Sequence, residues 1–186
     1  KLSEIRKKME DYNKTHFETK KGMAVMPICF GISFTTTYMN QASALVHVYI
    51  DGSISVSTGG VEMGQGLKSN IAGIVAKGFG IREHRIKIES TNTTRVANMS
   101  PSAASATTAL NGNATLIAIE QVLDRLKSMV AKELGVQDTG RITIVDEKVF
   151  CDGRETDWTW DRLVQTAHLN RIDLSAHGFF ATPEIY

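Results

Sequence analysis

Hydrophobic and polar positions follow two different periods along the first part of the chain. Apolar residues are concentrated in residues 44–50 and in residues 54–57, and Asp51-Gly52-Ser53 lies between the two runs. Asp-Gly between such runs is typical of a β-hairpin, because both residues tolerate a positive φ. Between residues 67 and 79 the apolar residues recur at helical spacing, and Gly80 lies just past them. A helix is therefore predicted after the hairpin.

The flanking segments predict two further helices and a β-rich stretch. Residues 1–20 are charged and predict a helix that ends at Lys20-Lys21-Gly22. Residues 23–38 are dense in β-branched and aromatic residues, which favours strands. A long helix is predicted from about residue 103 to residue 134, and Asn111-Gly112-Asn113 is expected to break or kink it.

The remaining patterns predict short elements. Residues 86–89 alternate as a strand, and two strands at 142–145 and 148–151 flank a turn at Asp146-Glu147. A short helix over residues 160–167 and an extended segment over 172–180 follow. The predicted fold class is α+β, with a mixed sheet of hairpin strands packed against two main helices.

The pattern divides the chain into three predicted parts. These are an N-terminal helix (1–22), an α+β core (23–135) and a smaller β/α extension (136–186). The chain begins without Met inside a predicted helix, and it stops without a capping signal, so we expect both ends to be cut from a longer protein.

Composition excludes several classes of function. The 186 residues have a net charge of +1 with scattered Lys and Arg, which gives no electrostatic reason to expect nucleic acid or a membrane surface as a partner. No apolar run approaches the roughly 20 residues of a membrane span, and no secretory signal is visible, so the cytoplasm is the expected location. Cys29 and Cys151 are far apart and belong to no Cys/His cluster, so no metal site built from side chains is expected.

The residues 59–66 contain four glycines between a predicted strand and a predicted helix. Glycine permits close approach of the backbone to a ligand, and the helix N-terminus after it favours an anion. A tight turn that binds nothing is the alternative. The phosphate-loop pattern is not met, because Leu67 precedes Lys68-Ser69, and G-x-G-x-x-G is absent. A non-enzymatic nucleotide-binding module that uses this loop is therefore a weak hypothesis.

Three other features allow two interpretations each. Residues 98–108 are rich in Ser, Thr and Ala, and are either an N-capped helix start or a surface for a polar ligand. Phe30 and Phe34 lie four residues apart on one face of a predicted strand, where core packing is the usual reason. Glu62 is the one acid in the glycine-rich segment; it is either a general base or, as such residues more often are, a residue that structures its own loop.

Taken together, these segments resemble the molybdenum hydroxylase family of the xanthine dehydrogenase type, in its molybdopterin-binding portion. The similarity is strong over residues 10–125 and looser toward Gly178-Phe179-Phe180-Ala181-Thr182-Pro183. Its motifs occur in the family's order: Phe30-Gly31-Ile32-Ser33-Phe34-Thr35, Asn40-Gln41-Ala42, Val48-Tyr49-Ile50-Asp51-Gly52-Ser53, Gly59-Gly60-Val61-Glu62-Met63-Gly64-Gln65-Gly66, Glu89-Ser90-Thr91-Asn92-Thr93, Ser100-Pro101-Ser102-Ala103-Ala104-Ser105 and Asn111-Gly112.

The resemblance implies an oxidoreductase that hydroxylates purines or related heterocycles with oxygen taken from water. Its cofactor is molybdopterin, in the simple or the dinucleotide form, whose own dithiolene sulfurs hold the metal. Matching positions imply cofactor contacts at Met63, Gly64, Gln65, Gly66, Ser102, Ala104, Ser105, Thr107 and Thr108. They imply a substrate pocket that includes Phe34 as a stacking ring, Thr35 beside it, and Ala103 and Ala104 as small residues at the substrate's edge.

The resemblance also implies that parts of the enzyme lie outside this chain. The family's catalytic glutamate and its purine-orienting Glu and Arg have no match here, so no catalytic residue is assigned and the isolated chain is predicted to be inactive. FAD and 2Fe-2S clusters are expected in partner domains or subunits, beside the remainder of the molybdenum subunit. An aldehyde, nicotinate or another N-heterocycle is the alternative substrate. Ala109 replaces a common acid, and Ser102 replaces a common Thr but keeps the hydroxyl.

Overall fold

A computed structural model describes residues 1–28, 33–103 and 105–183. The chain divides into two units, residues 1–31 and residues 32–186, which are described separately. The helices are α1 Leu2–Thr15, α2 Leu67–Phe79, α3 Ala106–Glu133 and α4 Trp160–Leu169. The strands are β1 Gln41–Val48, β2 Ile54–Thr58, β3 Ile86–Ile88, β4 Ile142–Val145, β5 Lys148–Cys151, β6 Arg154–Thr159 and β7 Ser175–Ala181.

The first unit is an exposed helix with a chain segment folded back beside it. Helix α1 ends at Thr15, not at residue 20, because His16 takes an extended conformation and its ring stacks on Tyr12 with centroids 3.7 Å apart. The Asn13 side chain then bonds both the N–H (2.8 Å) and the C=O (2.9 Å) of Lys21. These contacts turn the chain back before the predicted Lys-Lys-Gly stop is reached.

The prediction of strands over residues 23–38 is wrong for the described part of that range. Residues 23–28 and 33–36 have no regular structure, and Thr37–Met39 form one turn of 3-10 helix. Residues 29–32, which include Cys29 and Phe30, lie outside the described residues. β-branched composition alone does not form a strand, because a strand also needs a neighbour to pair with.

The second unit is built on a four-stranded sheet in the order β3-β2-β1-β7. β1 pairs antiparallel with both β2 and β7, while β2 and β3 are parallel and are connected through α2. The hairpin strand begins at Gln41 and ends at Val48, earlier than its predicted end at residue 50. Tyr49 leaves the strand because its N–H bonds the carbonyl of Ser53 and closes the turn, in which Gly52 has φ 78°.

Helix α3 continues through Asn111-Gly112-Asn113, so the predicted break is wrong. A Cβ on Gly112 would lie 2.8 Å from Cδ1 of Ile74, so this glycine allows α2 and α3 to approach closely. On the sheet side, a Cβ on Gly178 would lie 2.0 Å from the carbonyl oxygen of Ala114. The small residues therefore set the spacing of α3 between α2 and β7.

A second sheet, in the order β4-β5-β6, packs beside this core. Asp146 and Glu147 take positive φ values and form the predicted β4–β5 turn. Strand β6 was not predicted, although Asp152-Gly153, both at positive φ, is a hairpin signal. One hydrophobic core contains residues from both sides of the predicted boundary at residue 135, with the rings of Phe79 and Trp160 in contact.

The predicted α+β class is confirmed: the described residues combine four helices with a mixed four-stranded sheet and a three-stranded sheet. Over the described residues, no helix has both the length and the apolar character needed to cross a bilayer.

Candidate functional site

The glycine-rich segment singled out in the sequence lies against a polar stretch that includes the first part, residues 98–103, of the Ser/Thr/Ala-rich segment 98–108. We call residues 59–66 the glycine loop and residues 90–103 the hydroxyl loop. The N–H of Val61 donates to the hydroxyl oxygen of Ser102 at 2.7 Å. The hydroxyl of Thr91 donates to the carbonyl oxygen of Gly60 at 2.6 Å. Gly60 and Val61 of the glycine loop are thus held by hydroxyl side chains that follow them by 31 and 41 residues in the sequence.

Gly59, the first residue of the glycine loop, lies under Met99. A Cβ on Gly59 would be 1.9 Å from Cγ of Met99, closer than any real contact allows. The thioether sulfur of Met99 also accepts a hydrogen bond from the N–H of Ser43 at 3.2 Å, which ties the hydroxyl loop to strand β1. Glycine is needed at position 59 to leave room for this side chain.

Glu62 caps helix α2 with its own carboxylate. One oxygen accepts from the N–H groups of Gly64 (2.9 Å) and Gly66 (3.1 Å), and the other accepts from the N–H of Lys68 (2.9 Å). These bonds, led by that from Lys68, lower the pKa of Glu62 below its ordinary value. The anion that the helix N-terminus was expected to bind is therefore the Glu62 carboxylate of the chain itself. Glu62 thus has the loop-structuring role.

Two other side chains of the glycine loop differ in their surroundings: that of Gln65 bonds to the loop backbone, and that of Met63 is exposed to solvent. The Gln65 carboxamide accepts from the N–H of Met63 (2.6 Å) and donates to the C=O of Val61 (2.8 Å), so it bonds within the loop. The Met63 side chain is 64% exposed. Gly64 and Gly66 have positive φ, and a Cβ on either would meet nothing within 4 Å. Open backbone therefore faces outward at these two glycines.

The N-terminus of α3 differs from that of α2. Its cap residue Ser105 makes no side-chain capping bond, and its first turn contains no acidic residue. Thr108 accepts a long hydrogen bond (3.4 Å) from Asn70 of α2. Among the described residues, two buried polar atoms have no partner, Oγ1 of Thr107 and Oδ1 of Asn111. Hydrogen-bonding capacity is thus left over at the start of α3, next to the glycine loop.

The predicted substrate residues have different surroundings. Phe34 is half-buried, and Asn40 bonds both its N–H and its C=O. Thr35 is exposed and Ala103 is half-buried, while Ala104 lies outside the described residues. Phe34 packs against a small apolar cluster, together with Met99 and Phe180; the buried members of that cluster are Ala42, Ala44, Ala106, Leu110 and Ala114.

The structure thus brings most of the predicted positions to one seam between the glycine loop, the hydroxyl loop and the start of α3. Sequence reasoning did not single out Thr91, Met99 and Asn40 as residues that shape it. No local signal marks Met99, since its partner Gly59 lies 40 positions away in the sequence. Within the described ranges no group of three His, Cys, Asp or Glu side chains is arranged to hold a metal ion.

Much of this chain superposes on solved structures of a quinoline 2-oxidoreductase and a CO dehydrogenase. A crystal structure of quinoline 2-oxidoreductase from Pseudomonas putida 86 superposes with a TM-score of 0.69 at 20% identity, over 77% of this chain and 19% of the other. A reconstituted CO dehydrogenase from Oligotropha carboxidovorans gives 0.66 at 23% identity, over 77% of this chain and 18% of the other. At these identities the likeness shows the fold alone.

Sequence comparison identifies the family. The profile described as "Molybdopterin cofactor-binding domain" matches residues 1–185. Xanthine dehydrogenases of Oryza sativa and Emericella nidulans are 41% and 42% identical to this chain over 182 residues, and that of Gallus gallus, a xanthine dehydrogenase/oxidase, is 37% identical over 180. The chain therefore belongs to the molybdopterin cofactor-binding domain family, as the sequence motifs indicated. The matches cover 97–98% of this chain and 12% of each relative's length.

Proposed function

We propose that this chain is the cofactor-holding part of a xanthine dehydrogenase-like molybdenum hydroxylase. In this proposal the enzyme oxidatively hydroxylates purines such as xanthine and hypoxanthine, with water as the oxygen source. The observation that carries the proposal is the contact between Val61 and Ser102, which joins the two loops that were expected to hold one cofactor. The names of the similar relatives support the same substrate class.

The residues at the seam fit a flat ligand that bears hydrogen-bonding groups and a phosphate. The N-terminus of α3 suits the phosphate, because Ser105 makes no side-chain capping bond, the first turn has no acidic residue, and the helix dipole favours an anion there. The unpartnered hydroxyl of Thr107 suits a polar edge of the ligand. The open backbone at Gly64 and Gly66 lets a ring system approach closely. The N-terminus of α2 is a poor phosphate site, because Glu62 already occupies its N–H groups.

Molybdopterin, when bound, supplies the molybdenum centre at which the substrate is oxidised, with the metal held by the cofactor's own sulfurs. This chain's residues hold and orient that group. Gln65 reaches the ligand by exchanging its bonds to Met63 and Val61, and Ser102 acts through its bond to Val61. The proposed contacts on the glycine-loop side are Met63, Gly64, Gln65 and Gly66, and those on the other side are Ala104, Ser105, Thr107 and Thr108, while Ser102, expected from the sequence as a contact, acts behind them through Val61.

The proposed substrate contacts are an aromatic ring and small neighbours. Phe34 stacks on the planar substrate, which contributes about 0.5–1.5 kcal/mol beyond burial. Thr35 offers a hydroxyl beside it, and Ala103 and Ala104 leave room at the substrate's edge. The general base and the residues that orient a purine belong to the rest of the molybdenum subunit, and electrons leave through iron–sulfur and flavin partners. An aldehyde, nicotinate or another N-heterocycle is the second candidate substrate, because those orienting residues decide between them.

The first test measures molybdenum and pterin in the intact protein that carries this chain, followed by turnover of xanthine, hypoxanthine, nicotinate and benzaldehyde. We expect pterin, and the highest kcat/KM with a purine. Bound ATP in place of pterin would instead support the nucleotide-binding alternative. A preference for benzaldehyde would move the enzyme to the aldehyde-oxidising class. The 186-residue chain by itself should reduce no dye with xanthine, and dye reduction by this chain would contradict the assignment of the base elsewhere.

The second test asks whether the seam holds the cofactor. Thr107→Val and Ser105→Ala should lower the pterin content per mole of protein, since they remove hydroxyls at the start of α3. Thr143→Val is the matched control, because Thr143 is exposed on β4 in the second sheet. Equal pterin contents in all three variants would place the cofactor elsewhere.

A further inference from the structure

Asn40 holds the backbone of Phe34 from both sides. Its Oδ1 accepts from the N–H of Phe34 at 2.7 Å, and its Nδ2 donates to the C=O of the same residue at 2.8 Å. A side-chain amide that pairs with both groups of one residue replaces the pairing that a neighbouring strand would give. Asn40 is 2% exposed, so water does not compete for these two bonds.

Asn40 is itself fixed by the sheet. Its carbonyl oxygen accepts from the N–H of Thr182, just beyond the end of β7, at 3.0 Å. Its own N–H donates to Thr37 at 3.0 Å, which closes the 3-10 turn, and β1 begins at the next residue. Phe34 is thus connected to the rigid sheet through one side chain, while residues 35–38 between them are exposed.

The apolar contacts of Phe34 do not define the position of its ring as closely. The cluster beneath it is made mainly of alanines, with Ala42 and Ala44 from β1 and Ala106 from α3. Apart from Leu110, the buried members of this cluster offer only methyl groups to the ring, whereas the hydrogen bonds to its backbone fix the direction of its Cα–Cβ bond. The position of the ring therefore depends on the two hydrogen bonds from Asn40 to the backbone of Phe34, which we call the backbone clamp.

We propose that Asn40 is a positioning residue that sets the angle and height of the Phe34 ring against the planar substrate. This inference rests on the proposed function, in which Phe34 stacks on a heterocycle. Asn40 touches neither the substrate nor the cofactor; it acts through Phe34. Removal of its carboxamide leaves the N–H and the C=O of Phe34 without partners, and the ring then loses the geometry needed for stacking.

The test is a double-mutant cycle in the intact protein, with Asn40→Ala, Phe34→Ala and the double variant, and xanthine as substrate. Loss of stacking alone predicts a KM increase of about 2- to 10-fold in each single variant. Pterin content should stay at the parent level. If Asn40 acts through Phe34, adding Asn40→Ala to the Phe34→Ala background should change KM less than about 2-fold, since coupled residues give non-additive effects. Asn40→Asp keeps the acceptor and loses the donor, so its KM should lie between those of parent and Asn40→Ala.

The matched control is Asn113→Ala, because Asn113 is an exposed asparagine whose side chain bonds only the carbonyl of Ala109, one turn back in α3. It should leave KM unchanged. Equal KM increases on adding Asn40→Ala in both backgrounds, an unchanged KM in Asn40→Ala, or a parallel loss of pterin would overturn the positioning role. A parent protein that lacks pterin would overturn the proposed function and with it the substrate role of both residues. A crystal structure of Asn40→Ala in which Phe34 is not displaced would overturn only the inference that Asn40 positions Phe34.

Discussion

The N–H of Val61 and the hydroxyl oxygen of Ser102 are 2.7 Å apart, although 41 residues separate them along the chain. This bond lies next to the contact of Thr91 with the carbonyl of Gly60, so consecutive residues of the glycine loop are bonded by side chains of the hydroxyl loop. A hydroxyl that binds a loop has a different role from one that binds a ligand. Ser102 is accordingly proposed to shape the cofactor seam through Val61, and this role can be measured.

Ser102→Ala removes the acceptor for the Val61 N–H. We expect a loss of about 1 kcal/mol in the free energy of unfolding, the usual net value of one such bond, together with weaker cofactor retention. Urea denaturation and pterin analysis measure the two effects. Ser102→Thr keeps the hydroxyl and should retain both. Pterin loss without any change in unfolding would show instead that Ser102 contacts the cofactor directly.

Gly59→Ala places a methyl group in the space of the Met99 side chain. The added Cβ would lie 1.9 Å from Cγ of Met99, so that side chain must leave its place between β1 and the glycine loop. Overpacking of this kind typically costs about 1–3 kcal/mol. The measurement is the urea midpoint of the variant against the parent.

Two companion variants isolate the clash at Gly59. Met99→Ala in the Gly59→Ala background should recover part of the loss, because it removes the colliding atoms. Gly73→Ala lies within helix α2, where the new Cβ meets only Glu83 at 3.6 Å, so it should stabilise by up to about 1 kcal/mol. A Gly59→Ala protein as stable as the parent would contradict the close packing of Met99.

Glu62→Gln should change how stability depends on pH. The carboxylate of Glu62 accepts bonds from three backbone N–H groups, and its pKa in the folded protein lies below the ordinary value of 4.5. A group with a lowered folded pKa contributes stability above its unfolded pKa, and that contribution is lost as the pH falls through the folded pKa. The parent should therefore be more stable than Glu62→Gln at pH 7, and the difference should shrink as the pH falls below about 4.5.

The measurement is a series of urea midpoints between pH 3 and pH 7. Glu4→Gln is the control, since Glu4 is an exposed acid in the first turn of α1, away from the glycine loop in the sequence. A constant difference between parent and Glu62→Gln at all pH values would argue against capping by the carboxylate.

Periodicity predicted the elements whose partners are close in sequence. Helix α2 was predicted between Leu67 and Phe79 with its glycine stop, because helical spacing and the stop signal agree locally. The β4–β5 turn at Asp146-Glu147 was predicted for the same reason. Gly112 was misread as a breaker, because its reason lies in α2, where Ile74 needs the space. A glycine that serves a distant contact gives the same local signal as one that ends a helix.

The candidate site, too, was predictable from the sequence in its location but not in its hydrogen bonds. Family motifs brought the glycine loop and the hydroxyl loop to notice, and the structure places them together. The use of their polar groups was not predictable, because it depends on distance and direction. Glu62 occupies the helix N-terminus that was expected to take a foreign anion, and Gln65 bonds within its own loop. Hydrophobic periodicity predicts which residues are buried, but the partners of a polar side chain depend on distances and directions in the folded chain.

Arg85 connects three turns at the end of the sheet. Its guanidinium forms two bonds to Glu147, at 2.8 and 3.0 Å, and also pairs with Asp161 at the start of α4 and with the carbonyl of Asp51. Both members of the Arg85–Glu147 pair are 17% exposed, so they are only weakly screened. The hydrogen bonds from Arg85 are the largest cause of the lowered pKa of the Glu147 carboxyl.

Glu147→Gln should lower the free energy of unfolding at pH 7 by about 1.5–3 kcal/mol, the range for bonds to charged groups, because Arg85 loses its charged partner. The deficit should diminish as the pH falls below the ordinary glutamate value of 4.5, where the parent carboxylate also becomes protonated. Glu155→Gln is the control, because its pair with Lys148 is about half exposed on both sides and should contribute at most about 1 kcal/mol. Equal losses in the two variants would mean that the three turns are held by their backbone bonds, such as the one from the N–H of Trp160 to the carbonyl of Glu147, and not by the guanidinium.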